Sequence, residues 1–112
     1  MRKKIAIPLQ QGVLCNHFGH CQQFAFFDTD KSQIVSEKLV TPPPHEPGLL
    51  PAWLAEQGVT DIIAGGMGQK ALTLCKQQNI KTYIGVSPKS SKELVQDFLQ
   101  NTLVTGQNAC NH

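Results

Sequence analysis

The chain has 112 residues, ordinary apolar and charged fractions and a net charge of +2, which suits one globular domain over residues 1–112. The basic residues form no run longer than Arg2-Lys3-Lys4, so the sequence supports neither a nucleic-acid partner nor binding to a membrane surface. The apolar run that follows is too short for a signal-peptide core, and no window is long enough to span a membrane. We therefore expect a cytoplasmic protein whose thiols stay reduced.

The first forty residues are predicted to contain three strands. Residues 4–9 are almost entirely apolar, which is typical of a strand covered on both faces. Residues 23–28 are rich in aromatic side chains, residues 33–40 alternate loosely, and turn-forming residues between them predict a hairpin. The intervening residues 10–21 are predicted to form a loop.

This predicted loop concentrates metal-binding side chains. The run Cys15-Asn16-His17-Phe18-Gly19-His20-Cys21 holds two of the four cysteines and two of the four histidines. Thiolate and imidazole bind zinc, copper(I) and iron–sulfur centres. In a compartment that keeps thiols reduced, closely spaced cysteines indicate a metal site more often than a disulfide. The spacing matches no common zinc finger. We favour Cys15, His17 and His20 as ligands and rank Cys21 lower, because a Cys21 that begins a strand would point away from His20.

Other potential ligands lie further along the chain. His45 follows three prolines in the stiff connector 41–48, and is either solvated or a ligand that the connector delivers. Cys110 and His112 lie in the polar segment 103–112, which is either a flexible tail or a ligand-bearing tail that completes the site. Cys75 falls on the apolar side of a predicted helix and is expected to be a core residue.

The second half of the chain alternates helices with strands. Helices are predicted over 49–57 and 69–78 and from Ser90 onwards, with strands over 60–64 and 81–86. Ser90 and Glu93 form a capping-box pattern, and Gly58 suits a helix C-terminus. Because this alternation implies right-handed parallel crossovers, we expect an α/β three-layer domain with helices on both faces. Its mixed five-stranded sheet would have the order 3-2-1-4-5, with strand 2 antiparallel to the others.

That strand order brings two loops to one crevice. Ligands of open α/β sheets bind outside the carboxyl ends of the strands, where neighbouring strands lead to opposite faces. Strand 1 is followed by the loop with the cysteines, and strand 4 by Gly65-Gly66-Met67-Gly68 before a helix. This glycine loop matches neither the dinucleotide fingerprint nor a P-loop. It is either a tight turn or an anion-binding helix start, and the two are compatible. A crevice with both loops would suit an anionic metal–sulfur cluster.

Several segments together match the pattern of a known family. They are His17-Phe18-Gly19-His20 after the first strand, Phe24-Ala25-Phe26-Phe27-Asp28, Ile62-Ile63-Ala64-Gly65-Gly66-Met67-Gly68 and Gly85-Val86. In these the chain resembles the dinitrogenase iron–molybdenum cofactor biosynthesis proteins. The resemblance implies a ribonuclease H-like fold and a non-catalytic protein that binds, carries or protects an iron–sulfur or molybdenum-containing cofactor or its precursor. The chain looks like a member of a more ligand-rich branch of this family, because it has the additional potential ligands Cys15, Cys21, Cys110 and His112.

The sequence is also compatible with other functions. The cargo could be a single zinc or other transition-metal ion. Cys15 and Cys21 could form a reversible disulfide in a redox-responsive or small-ligand regulatory domain. The hairpin edge at 33–40 could pair with a partner in a structural interaction module or a homodimer. Nuclease chemistry is not expected, because strand 1 lacks the carboxylates that two-metal catalysis needs. The sequence names no cluster donor or acceptor protein.

Overall fold

The computed structural model describes residues 2–15, 21–44, 48–87 and 89–106, and its strands form one mixed sheet. The elements in chain order are β1 (Arg2–Gln10), β2 (Val13–Leu14), β3 (Gln23–Asp30), β4 (Gln33–Val40), α1 (Leu49–Glu56), β5 (Asp61–Ile63), α2 (Gln69–Gln77), β6 (Lys81–Tyr83) and α3 (Ser91–Leu99). The sheet order is β4-β3-β1-β5-β6, with β2 beside β1. The predicted five-strand order 3-2-1-4-5 is therefore confirmed.

The directions of the strands fix where their ends lie. β3 is antiparallel to both β1 and β4, whereas β5 is parallel to β1 and β6 is parallel to β5. β3 thus runs against the other strands of this path, as predicted for strand 2. Consequently the carboxyl ends of β1, β5 and β6 meet at one end of the sheet, and the loops that follow these strands are neighbours.

One strand was not predicted. Residues 10–21 were expected to be a loop, but β2 turns back on β1 through the two-residue turn Gln11-Gly12. Both turn residues have positive φ, 53° and 82°, which is the geometry of a type I′ hairpin turn. A two-residue strand is too short to show alternation, and Gly12 was the only sequence feature that indicated the turn.

The sheet is covered by helices on both faces. Side chains of β1 alternate between them, with Ile5 and Ile7 in the core beneath α3 and Ala6 in the core beneath α1 and α2. Leu54 of α1 is fully buried in the α1/α2 core, and Leu94 of α3 is almost fully buried in the α3 core. The three-layer arrangement predicted from the sequence is therefore confirmed.

The helices begin and end within a residue or so of the predicted positions. Ser90 caps α3, because its Oγ accepts a hydrogen bond from the N–H of Glu93 at 3.2 Å. Gly58 follows α1 with φ of +85°, the left-handed conformation that ends many helices. β5 and β6 are shorter than predicted. None of the helices in the described ranges has the length and apolar character that crossing a membrane requires.

Candidate functional site

The segment that carries the predicted histidines, residues 16–20, lies outside the described residues, but its flanks are hydrogen-bonded to β1. On one side the N–H of Cys15 donates to the carbonyl of Pro8 at 2.9 Å. On the other side the N–H of Gln22 donates to the carbonyl of Leu9, also at 2.9 Å. Both flanks therefore lie at the carboxyl end of β1, where the sequence predicted the site.

The two flanks of this segment lie on different edges of β1. Leu9 pairs with Leu14 of β2 on one edge and with Gln23 of β3 on the other. Since β3 occupies one edge of β1, β2 shares the other edge with β5. Cys15 therefore follows β2 on the β5 side of β1, and Gln22 precedes β3 on the other side, at the end of the sheet where β1 and β5 finish.

Cys15 is buried at the end of β2, with 2% of its surface exposed. Leu14 packs in the α3 core, and successive side chains of an extended chain point to opposite faces. Cys15 therefore faces the α1/α2 side, where its thiol donates to Oε1 of Gln10 at 3.8 Å. The sequence offered no indication of this role for Gln10.

Cys21 lies on the same side of the sheet and close to Cys15. It is half-buried and packs against the α1/α2 core. Burial and, to a smaller extent, the nearby Cys15 thiol together raise the pKa of the Cys21 thiol to about 12, although a hydrogen bond to its own backbone acts in the opposite direction. The reason for ranking Cys21 lower was wrong, because β3 begins at Gln23 and Cys21 precedes the strand.

The glycine loop at 65–68 follows β5 at this same end of the sheet. Met67 is fully buried in the α1/α2 core, the cluster against which Cys21 packs. The carbonyl of Gly65 accepts a hydrogen bond from the N–H of Gly85, in the segment that follows β6. Thus the glycine loop and the two cysteines converge on one end and one face of the sheet, as the strand order predicted.

The first turn of α2 lacks the side chains that usually stabilise a helix start. Gly68 is the N-cap residue, no side chain caps the helix, and its first turn contains no acidic residue. A Cβ atom at Gly68 would meet nothing within 4 Å, and φ of −64° does not require glycine. The positive end of the helix dipole is therefore not offset by the helix's own side chains, which favours an anion nearby.

Most of the predicted ligands lie outside the described residues. These are His17, His20, His45, Cys110 and His112. Among the residues that the structure does describe, no group of three Cys, His, Asp or Glu side chains could hold a metal ion. The structure therefore brings together only Cys15 and Cys21 from the predicted set. Cys75 is fully buried in α2, which confirms its expected place in the core.

The C-terminal segment is attached near this end of the sheet. The N–H of Gly106 donates to the carbonyl of Ile84 at 3.2 Å, just beyond β6. A Cβ atom at Gly106 would lie 3.2 Å from the carbonyl oxygen of Gly85, which explains a glycine at this close approach. Gly85 in turn bonds Gly65, so the described chain ends beside the glycine loop. A polar tail without periodicity gave no sequence indication of this attachment.

Comparisons with solved structures support the fold. The crystal structure of PH0822 superposes with a TM-score of 0.87 at 22% sequence identity, covering 95% of this chain and 96% of that one. The apo form of the orange protein from Desulfovibrio gigas superposes with a TM-score of 0.78 at 20% identity, covering 95% and 94% of the two chains. At these identities the likeness concerns the fold alone.

Sequence comparisons agree with the resemblance noted above. The uncharacterized protein MJ0580 of Methanocaldococcus jannaschii is 30% identical over 105 residues, which is 89% of this chain and 88% of that protein. Residues 1–101 match the family model described as dinitrogenase iron-molybdenum cofactor. The chain therefore belongs to the dinitrogenase iron-molybdenum cofactor family.

Proposed function

We propose that this protein binds and carries an iron–sulfur or molybdenum–sulfur cluster, without catalysing a reaction, in the crevice between residues 15–21 and 65–68. The observation that carries the proposal is the pair of neighbouring thiols, Cys15 and Cys21, on the face and at the end of the sheet that the glycine loop occupies. Membership of a family described by the iron-molybdenum cofactor supports iron and molybdenum as the metals. The carrier would act in the cytoplasm and exchange its cargo with a donor or acceptor protein.

Each part of the crevice has a distinct proposed role. Cys15 and Cys21 supply thiolate ligands, which soft metals prefer. His17 and His20 act as further ligands or as hydrogen-bond donors to cluster sulfides. Backbone N–H groups of residues 66–68 and the start of α2 offset the negative charge of the cluster. Because the Cys21 pKa is raised, its thiol is protonated at neutral pH, and ligation must release that proton.

The tail and the connector supply additional proposed ligands. Cys110 lies four residues beyond the attached Gly106, and an extended chain of that length spans about 14 Å. In this proposal Cys110, and His112 after it, reach back from Gly106 to complete the site. His45 shortly precedes Gly48, whose Cβ position lies 3.5 Å from Leu74 on α2. The connector therefore ends on the α1/α2 side of the sheet, which supports His45 as another ligand.

The direct test is metal content. Tag-free protein purified without oxygen would be incubated with ferrous iron and sulfide or with tetrathiomolybdate, and separately with zinc, then analysed for metal and by absorption. We expect stoichiometric metal with charge-transfer bands for a cluster. Trp53, the only tryptophan, packs against the same core as Cys21, so its fluorescence provides a second readout.

Paired variants make this test specific. The double variant Cys15→Ser/His17→Ala should lose metal retention while its circular dichroism stays that of the folded protein. Cys75→Ala is the matched control, because Cys75 is a fully buried thiol of α2 and no part of the proposed ligand set. Wild-type metal content in the double variant would contradict the assignment of the site.

A reversible disulfide is the second candidate, because the two thiols are close together. The thiolate is the attacking species in thiol–disulfide exchange, and a pKa of about 12 for Cys21 leaves little of it at neutral pH. Thiol counting in oxidising and reducing glutathione buffers separates the candidates. Loss of both thiols within minutes, in protein that takes up no metal, would favour the switch.

A further inference from the structure

A second cavity lies on the α3 side of the sheet, whereas the proposed cluster site lies on the α1/α2 side. Its volume is about 590 Å³, within the usual range for small-molecule sites. It is bounded by the start of β1, the turn between β3 and β4, the end of α3 and residues 103–105. Lys3 lines it, and along an extended strand Lys3 lies about 17 Å from Pro8, where the cysteine segment is attached. The two sites are separate, because the sheet lies between them.

The charged groups that line this cavity are all positive. Among the described residues around it they are Lys3 and Lys31, and no carboxylate lines the wall. The ammonium group of Lys3 lies 5.1 Å from the centre of the Phe98 ring, which holds its charge at the apolar wall. Two positive charges beside a concave surface attract an anion.

The wall between the lysines is aromatic and aliphatic. The rings of Tyr83 and Phe98 meet edge to face, with centroids 5.1 Å apart and an angle of 74° between the planes. Leu99 and Leu103 line the cavity and pack, partly buried, against the α3 core. Such a wall suits an aromatic or other apolar body more than a bare inorganic ion.

A buried carboxylate fixes the hydroxyl group of Tyr83. Asp61 is 2% exposed, and its Oδ2 accepts a hydrogen bond from Tyr83 at 3.3 Å while its Oδ1 accepts one from Thr60 at 2.6 Å. Both carboxylate oxygens thus have partners, and Asp61 is not among the lining residues. Burial, the charge of Asp61 and this hydrogen bond raise the pKa of Tyr83, which keeps the phenol neutral. The Tyr83 phenol therefore adds no negative charge to the cavity.

The rim of the cavity contains residues in unfavourable backbone conformations. Lys31, Ser32 and Asn101 have φ of 52°, 64° and 60°, in the left-handed region. The two-residue turn at 31–32 is of a kind that favours asparagine and glycine, so a lysine there lowers stability. Lys31 in this strained turn conformation is consistent with a functional role for its ammonium group.

We propose that this cavity binds a small organic anion, with its carboxylate between Lys3 and Lys31 and an apolar body against Tyr83 and Phe98. The site does not depend on the proposed cluster function, because it lies on the other face of the sheet and uses none of the proposed metal ligands.

The test uses benzoate as the probe and nuclear magnetic resonance of the full chain as the readout. We expect saturable shifts at Tyr83 and Phe98 with benzoate and much weaker binding of benzamide, which lacks the charge, and of acetate, which lacks the apolar body. Lys3→Gln should weaken benzoate binding by about tenfold, the loss expected for one hydrogen bond to a charged group. Lys3→Arg should retain most of it.

Lys70→Gln is the matched control, because Lys70 is exposed on α2 and does not line the cavity. It should leave the affinity for benzoate unchanged. No saturable shift with benzoate, equal binding of benzamide, or an equal loss in Lys70→Gln would each overturn the proposal.

Discussion

The starts of α2 and α3 differ, although each helix has nine residues. Ser90 caps α3, and Glu93 adds a negative charge in its first turn, with its Oε1 3.1 Å from Ser90 Oγ. α2 begins at Gly68 with neither a capping side chain nor an acidic residue. A good N-cap stabilises a protein by about 1 kcal/mol, so α2 lacks a stabilisation that the same chain uses elsewhere. This difference is what the proposed anion-binding role of the α2 start predicts, since an uncapped helix start leaves its N–H groups available to an anion.

We expect the largest effect on binding from a negative charge placed at the N-terminus of α2. Gly68→Asp should lower the affinity for tetrathiomolybdate by about tenfold, because a carboxylate there competes with an anionic cargo for the helix dipole. The same change should raise the free energy of unfolding by about 0.5 kcal/mol through capping. Metal titration and urea unfolding measure the two effects.

Gly68→Ser is the matched control for this prediction, since it adds a cap without a charge. The open space around Gly68 accommodates either side chain. Serine should keep the wild-type affinity. If aspartate and serine reduce binding equally, charge is not the cause and the anion-binding role of the α2 start is wrong.

A smaller effect is expected at the α3 start. Ser90→Ala should lower the free energy of unfolding by about 1 kcal/mol, because the N–H of Glu93 loses its hydrogen-bond acceptor. Its metal content should match the wild type. Urea denaturation with parallel metal analysis checks both statements, and Ser90→Asp should restore the stability. A loss of metal in Ser90→Ala would show that the two helix starts are not independent.

The smallest effect concerns alkaline stability near the proposed cluster site. Burial and the neighbouring Cys15 thiol raise the pKa of Cys21 from 9.0 to about 12, so the folded protein holds a proton that the unfolded chain releases. Its contribution to stability is complete below pH 9 and is lost as the pH rises towards 12. For the half-exposed thiol we expect a loss of about 0.5 kcal/mol at pH 10 after solvent screening.

Urea midpoints at pH 8 and pH 10 measure this loss in apo-protein. The Cys21→Ala variant should show a weaker dependence on pH than the wild type. Cys75→Ala provides the comparison for a thiol whose pKa burial alone raises, to about 11. Identical pH dependence in the wild type and Cys21→Ala would contradict the raised pKa.

The fold was largely predictable because its signals extend over many residues. Continuous apolar runs and helical periodicity identified the five strands of the path and the helices, and their alternation fixed the strand order. β2 was missed because two residues cannot show a period, and because a turn with Gln11 at positive φ departs from the usual asparagine. β5 and β6 were predicted too long, since their apolar character continues into the loops beyond them.

The site was predictable only in part. Strand order alone placed the glycine loop beside the cysteine segment, because parallel strands end together. The proximity of Cys15 and Cys21 depends on the β2 hairpin. The sequence reasoning ranked Cys21 lower on the condition that it begins a strand, whereas β3 begins two residues later. The attachment of Gly106 beside Ile84 depends on a close backbone approach that leaves no pattern in the sequence. The roles of the histidines stay predictions.

The attachment of the cysteine segment to β1 has a consequence for how the protein opens. β1 lies inside the sheet, and its central residues Ile5 to Ile7 are fully buried. Hydrogen exchange shows that such central strands open only near the full free energy of unfolding, whereas loops and ends fluctuate at little cost. Because the amides of Cys15 and Gln22 are bonded to the carbonyls of Pro8 and Leu9, which directly follow these buried residues, we expect the flanks of the segment to share the protection of this interior strand. We therefore expect Cys15 and Cys21 to keep their relative positions while other parts of the domain open locally.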